Sequence, residues 1–395
     1  MFSLEFKGGM TTEHRRRILG DVDEKPPSTG PGAARTLTRS TFCCSSPLPT
    51  RLERRPLGRP HHWPHPGRPG GHPDARHESA RRPRALRLSG RRLQPRIEEL
   101  GEVPDLYAVN AGELILGYRN GYGQFTRLDE RADPDELLPR AEDAPAKRDL
   151  GRGGSYLVLR QLSQDVRAFW QFCHRATRRP DGSSSRDARV RLASKMMGRW
   201  PSGAPLALTP ETDRPELGEA NDFGYFHEDR DGLRRPIGAH VRRSNPRDSL
   251  DPRPGSRDSI EVGNLHRLLR RGRQYGRFLS REELLSMDSP DLWDTEPRGL
   301  HFICLVGNIS RQFEFVQHTW LNNASFGGLY DSPDPLLSPA PLGGRTFTIP
   351  ARPVRERHSG LPRFVSVRGG AYFFLPGIKA LRYLASLRGD ASPAA

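Results

Sequence analysis

Hydrophobic and polar positions keep a regular period at the start of the chain and again from Gln94 onward, and lose it in between. The opening "FKGGMTTEHRRRILGDVDE" predicts a helix with a threonine cap and a Gly-Asp stop. "GELILGYRNGYG" predicts a short apolar strand followed by an Asn-Gly turn. In "GGSYLVLRQLSQDVRAFWQFCHRA" a strand over 156–159 gives way to an amphipathic helix with Val166, Phe169, Trp170 and Phe172 on its apolar side. "HFICLVGN" (301–308) predicts a buried strand, and "SRQFEFVQHTWLNNA" a helix after it. "RFVSVRGGAYFFLPG" predicts two short strands broken at Gly369 and Gly370, and "IKALRYLASL" a closing helix. Strands and helices alternate without the tight βαβ rhythm of a parallel sheet, so the expected class is α+β rather than doubly wound α/β.

Between 28 and 93 neither period survives, and "RRPLGRPHHWPHPGRPGGHPDARHESARRPRALR" is typical of the segment. Composition sharpens the contrast. Residues 31–93 carry 14 arginines against three acids (Glu53, Asp74 and Glu78), a surplus of 11 in a chain of net charge +16, which leaves +5 for everything else. The whole-chain average, 34% hydrophobic and strongly basic, suggests a disordered polyanion binder. That suggestion comes from this one segment.

Its arginines lack the interleaved aromatics that stack on bases, and no helix-turn-helix, zinc-finger or RNA-recognition signature accompanies them. Nucleic acid is therefore not an expected partner. The histidines of "HHWPHPGRPGGH" are separated by Pro and Gly, with no scaffold to hold ligands, so no metal site is assigned there. Cys43, Cys44, Cys173 and Cys304 form no CxxC pair and no disulfide framework. No apolar run approaches the roughly 20 residues of a membrane span, and the acidic, non-apolar start does not resemble a secretory signal. A soluble, cytoplasmic protein is expected.

The candidate chemistry lies downstream. In "RRPIGAHVRRSNPRDS" (234–249), His240 follows a Pro-Ile-Gly-Ala turn and precedes two arginines. Local composition alone favours a basic surface loop with an incidental histidine. The neighbouring "NLHRLLRRGRQYG" (264–276) changes that balance. A histidine can ligate haem iron while an arginine stabilises charge on an oxygen ligand.

Several long stretches, in order, carry a resemblance. They are "AGELILGYRNGYG", "GGSYLVLRQLSQDVRAFW", "NDFGYFHEDRDGLRRPIGAHVRRSNPRDS", "LHRLLRRGRQYG", "GLHFICLVGNISRQFEFVQHTWLNN" and "LPRFVSVRGGAYFFLPG". Together they resemble the dye-decolorising (DyP-type) haem peroxidases, most of all their longer bacterial form, over essentially 94–387. The resemblance implies a fold of two ferredoxin-like halves, each an antiparallel sheet with flanking helices. It implies one haem b per chain, with His240 as the proximal iron ligand and Arg270 as the distal arginine, and Arg242 as a haem-propionate partner. Glu314 is taken as the acid behind the proximal imidazole. The implied reaction is oxidation of dyes or phenols by hydrogen peroxide. A distal acid moves a proton between the peroxide oxygens, while Arg270 stabilises the charge that develops. Trp200, Tyr275 and Trp320 are candidates for passing electrons, although core packing is the plainer reading of each. A homo-oligomer is compatible with all of this.

The family's distal acid belongs to a Gly-x-x-Asp-Gly motif just before Ser-Gln-Pro. Here Gln94 and Pro95 are present and the motif is not. Back-translating "ALRLSGRRL" (85–93) as GCA CTT CGG CTT TCG GGA CGG CGT CTC and reading from the second base yields His-Phe-Gly-Phe-Arg-Asp-Gly-Val-Ser, the missing motif. The middle base of each new codon is the old wobble base and was free to choose, while the first base of each is fixed by the residue shown and agrees with the motif. "PPSTG" and "STFCC", read from the third base, give Pro-Glu-His-Trp and His-Val-Leu-Leu. The segment 28–93 thus reads as out-of-frame translation. The expected organisation is a remnant of the N-terminal half over 1–27, the aberrant segment over 28–93, the rest of that half over 94–230, and a haem-binding C-terminal half over 231–390. A peroxidase impaired by loss of the distal Asp is the leading expectation. The alternatives are a haem-binding protein without turnover and a polyanion-binding protein acting through 31–93.

Overall fold

The computed structural model describes residues 2–21, 94–98, 106–130, 136–279, 283, 296–339 and 344–387. The aberrant segment, with its histidine tract, basic arm, Cys43 and Cys44, lies outside them. At the start of the chain α2 (Glu13–Leu19) forms as expected, preceded by a short helix α1 (Leu4–Gly8) that the pattern did not predict. Thr12 occupies the extended N-cap position of α2, and Gly20 ends it at φ 72°, a left-handed conformation that glycine adopts without penalty. Leu19 is buried against the central sheet.

That sheet is built from β1 (Ser155–Gln164), β2 (Leu269–Arg270), β3 (Arg273–Gly276), β4 (Arg298–Val306) and, far downstream, Val365–Leu375. A separate hairpin of β5 (Arg345–Ile349) and β6 (Glu356–Leu361) precedes the last strand, which is therefore β7. The order is β2–β4–β1–β7, with β3 also on β4, and every pairing is antiparallel. This is the ferredoxin-like arrangement within an α+β fold. Alternation sets its faces. Tyr156, Val158, Cys304 and Val306 point inward and pack with Phe313 and Tyr372. The helix α3 (Val166–Ala176) follows β1 directly, its N-terminus capped by Asp165, whose carboxylate accepts from the Ala168 amide at 2.8 Å. It buries Val166, Phe169, Trp170 and Phe172 together with Cys173. These pack with α4 (Arg186–Met197) and the β5–β6 hairpin into a second core.

Three expectations need correction. First, 113–117 form no strand. The apolar Leu114 and Leu116 are buried in a turn-rich segment whose amides bond to Ala111 and Gly154 instead. The Asn-Gly turn does form, with the Asn120 side chain accepting from the amides of Tyr122 and Gln124. Second, Gly369 and Gly370 do not break β7. They continue the strand past a bulge at Arg368, and a side chain at 370 would collide with the Met10 sulfur and the Leu159 carbonyl. Third, the sheet takes β1 from one side of residue 230 and β2, β4 and β7 from the other. The sheet thus spans the boundary expected at 230. The helix expected after β4 is present over Ser310–Glu314 and Val316–Leu321, wound wider than an α-helix. Its amides at Glu314 and Asn322 bond five residues back. The chain closes with α-helix Ile378–Ser386.

Candidate functional site

The Pro-Ile-Gly-Ala turn closes through the Ala239 amide on the Pro236 carbonyl and delivers His240 as the first residue of α5 (His240–Ser244). The His240 Nδ1–H donates to Asp334 Oδ2 at 2.9 Å, so Nε2 is the ring nitrogen left for a ligand. Asp334 is fully buried, and its second oxygen accepts from the Leu336 and Leu337 amides at 2.9 and 2.8 Å. Burial pushes this carboxyl up, but His240, the Leu337 amide and the nearby Arg243 outweigh it and hold it below the usual range. A carboxylate so fixed sets both the tautomer and the orientation of the imidazole.

Glu314, the acid expected in this role, is elsewhere: it pairs with Arg15 and accepts from the Tyr372 hydroxyl at 2.7 Å. Asp334 is 94 residues from His240 in sequence and was missed. One local signal was available, since an Asp-Pro followed by two leucines suits an Asx-type turn, the bond pattern Asp334 makes.

His240 and Arg270 line the same cavity, of about 680 Å³. Arg270 reaches it from the short strand β2, beside the buried Cys304 across the pair. Burial lowers the affinity of this guanidinium for its proton and raises the Cys304 thiol. Among the described residues no hydrogen bond from the Arg270 guanidinium occurs, so toward them its donors are uncommitted. Leu162, Leu300, Phe302, Leu321 and Leu336 supply much of the apolar wall.

Arg242 does not belong to this wall. Successive helical residues turn by about 100°, so position 242 faces roughly opposite to 240. Its guanidinium is buried on the Asp229 and Arg235 carbonyls, at 2.9 Å each, and beside the Asp229 carboxylate at 3.3 Å. The arginines that do line the cavity include Arg160, Arg199, Arg247, Arg267 and Arg363. The lining acids are Asp21, paired with Arg160, and the helix-capping Asp165. Of the aromatic candidates, Trp200 and Trp320 are buried in cores. Tyr275 stacks on His301 at 4.8 Å and donates to the Leu162 carbonyl.

A large apolar cavity with an acid-backed histidine, an uncommitted arginine and a surplus of positive charge fits haem, whose propionates are anionic. No family model matches the chain. Individual relatives do. The chain is 31% identical over 334 residues to the multifunctional dye peroxidase DyP2 of Amycolatopsis sp., covering 74% of this chain and 68% of that protein. The chain belongs to the dye-decolorizing peroxidase family.

Dye-decolorizing peroxidases of Exidia glandulosa and Auricularia auricula-judae are 32% and 33% identical, over 73% and 69% of this chain. The chain spans little more than half the length of those two relatives, 53% and 56%. Among solved dye-decolorizing peroxidases, an ancestral D-type enzyme superposes with a TM-score of 0.54 at 29% identity, and an Auricularia auricula-judae enzyme with 0.55 at 28%. Each match covers 73% of this chain, and 60% and 61% of the solved chains. Among the described residues no helix is long and apolar enough to cross a membrane.

Proposed function

We propose that this chain is a haem b peroxidase that oxidises dyes or phenolic compounds with hydrogen peroxide, weakened in its present form by loss of the distal acid. The observation that carries the reading is the pairing of His240, backed by Asp334, with the uncommitted Arg270 on one cavity. Haem bound there supplies the redox chemistry of peroxide cleavage. The protein's part follows from its own atoms. Asp334 holds the Nδ1 proton of His240, so Nε2 is the ligating nitrogen and is kept electron-rich. Arg270 would offer donors to an anionic oxygen in the cavity. The apolar wall limits water. The arginines that line the cavity, rather than Arg242, would face the propionates.

Proton transfer between the peroxide oxygens needs an acid–base group. Where the family has its Asp, this chain has Gly90 and Arg91. The described acids of the cavity, Asp21 and Asp165, are both committed to other bonds. That absence favours a second reading, haem binding without turnover. The test is to express the chain with haem supply, record the Soret band, and assay dye oxidation with peroxide. A Soret band with weak or no turnover is expected, and turnover is expected to rise when the reading frame is restored so that Asp stands at 90. Full turnover by the chain as written would show that Arg270 suffices. An uninterrupted gene encoding 28–93 would sink the frame reading.

A further inference from the structure

Among the described residues β2 is an edge strand, and its pairing with β4 leaves one donor over. The Arg271 amide donates to the Ile303 carbonyl at 2.8 Å, so Arg271 and Ile303 form a hydrogen-bonded pair. In an antiparallel ladder such pairs alternate with non-bonded ones. Arg270 and Cys304, the adjacent pair, are therefore the non-bonded kind, and the Arg270 N–H points away from the sheet. A half-buried amide in that position needs another acceptor. It finds the side chain of Gln94, whose Oε1 accepts from it at 2.8 Å across 176 residues of sequence.

Gln94 is itself anchored. Pro95 after it is buried. The next residues are clamped by the Glu98 amide on the Val109 carbonyl (2.9 Å) and the Val109 amide on the Arg96 carbonyl (2.8 Å). The glutamine thus does for β2 what a neighbouring strand would do, at a residue whose guanidinium lines the cavity beside His240.

We propose that Gln94 is a positioning residue for Arg270: its amide oxygen fixes the backbone from which the guanidinium is aimed at an anion in the cavity. The role rests on the peroxidase reading of Arg270. A side-chain acceptor suits the task because β2 contributes only two residues to the sheet and, among the described residues, has no strand on its other side.

The test uses the full chain expressed with haem supply, and three variants: Gln94→Leu, which keeps bulk and removes the acceptor, Gln94→Glu, which keeps an acceptor oxygen, and Arg270→Leu. Fluoride binding is read from the visible spectrum, and amide hydrogen exchange from peptides covering 269–271, with peptides of β1 as the control for general loosening. Gln94→Leu is expected to speed exchange at 269–271 by about tenfold, as for the loss of one buried hydrogen bond, with β1 unchanged, and to weaken fluoride binding. Gln94→Glu is expected to restore slow exchange. Wild-type exchange and fluoride affinity in Gln94→Leu, with fluoride binding lost in Arg270→Leu, would overturn the positioning role while leaving the peroxidase reading intact. Unchanged fluoride binding in Arg270→Leu would instead remove the anion-binding role of Arg270, and the proposal with it. Loosening of β1 alongside 269–271 would also overturn it, since Gln94 would then be a general brace.

Discussion

The bond between His240 and Asp334 sets a free energy that can be measured on the protein alone. Asp334 is 0% exposed and accepts from one imidazole and two backbone amides. Replacing it with Asn keeps an oxygen for the amides of Leu336 and Leu337 but removes the charge that faces the Nδ1–H. A hydrogen bond to a charged group contributes about 1.5–3 kcal/mol, so Asp334→Asn should lower stability by about that much. A second contribution has the same sign: Arg243 and Arg345, both pushed down to about 10 by burial, would lose a nearby anion that favours their charged forms. Asp334→Ala, which also orphans the two amides, should cost about 3–5 kcal/mol, the range for breaking a buried ionic contact by removing one partner. The assay is urea denaturation of the wild type, Asp334→Asn, His240→Ala and the double variant without haem. If the two side chains act through each other, the double variant loses less than the sum by about 1.5 kcal/mol or more. Losses that add to within about 0.5 kcal/mol would mean the pair is not coupled, and the argument that Asp334 fixes the imidazole would fail.

Further predictions concern other parts of the fold. Gly370→Val should lower stability by about 1–3 kcal/mol in thermal denaturation, because a Cβ at 370 meets the Met10 sulfur at 2.7 Å and the Leu159 carbonyl at 2.8 Å; an unchanged transition would show that α2 and its approach yield freely. Glu113 is buried, and burial raises its carboxyl despite the Gly121 amide and Arg311. A raised folded value means the native state binds the proton more readily than the unfolded chain, so this group's contribution falls as pH rises through the window above its ordinary value. The wild type should therefore gain on Glu113→Gln as pH drops from 7 toward 5, and a constant difference in urea midpoints would contradict this. Cys173 and Cys304 are buried with thiols pushed up by burial, so a thiol reagent should modify them only after denaturant is added, as peptide mapping would show.

Much of the fold was legible because local pattern and tertiary packing agree. Thr12 and Gly20 bracket α2, and the even positions of β1 and β4 alternate inward as their sequences suggest. The pattern misled where backbone bonds go to distant partners. Leu114 and Leu116 look like a strand but spend their amides on a turn and on Gly154. The glycine pair in β7 looks like a break, yet Gly370 marks a close approach to Met10 and the Leu159 carbonyl. At the site, motifs single out His240 and Arg270, which the structure places on one cavity. Asp334 was not, because no period links a loop carboxylate to a histidine 94 residues away. The error at Arg242 was avoidable, since two residues along a helix is the far side of it.

The central claim, that His240 and Arg270 bracket a haem site, is tested most directly by the absorption spectrum of the full chain expressed with haem supply, beside His240→Ala and Arg270→Leu. The account predicts a Soret band for the wild type, its loss or marked shift in His240→Ala, and its retention in Arg270→Leu with weakened fluoride binding. An identical spectrum in His240→Ala would contradict it.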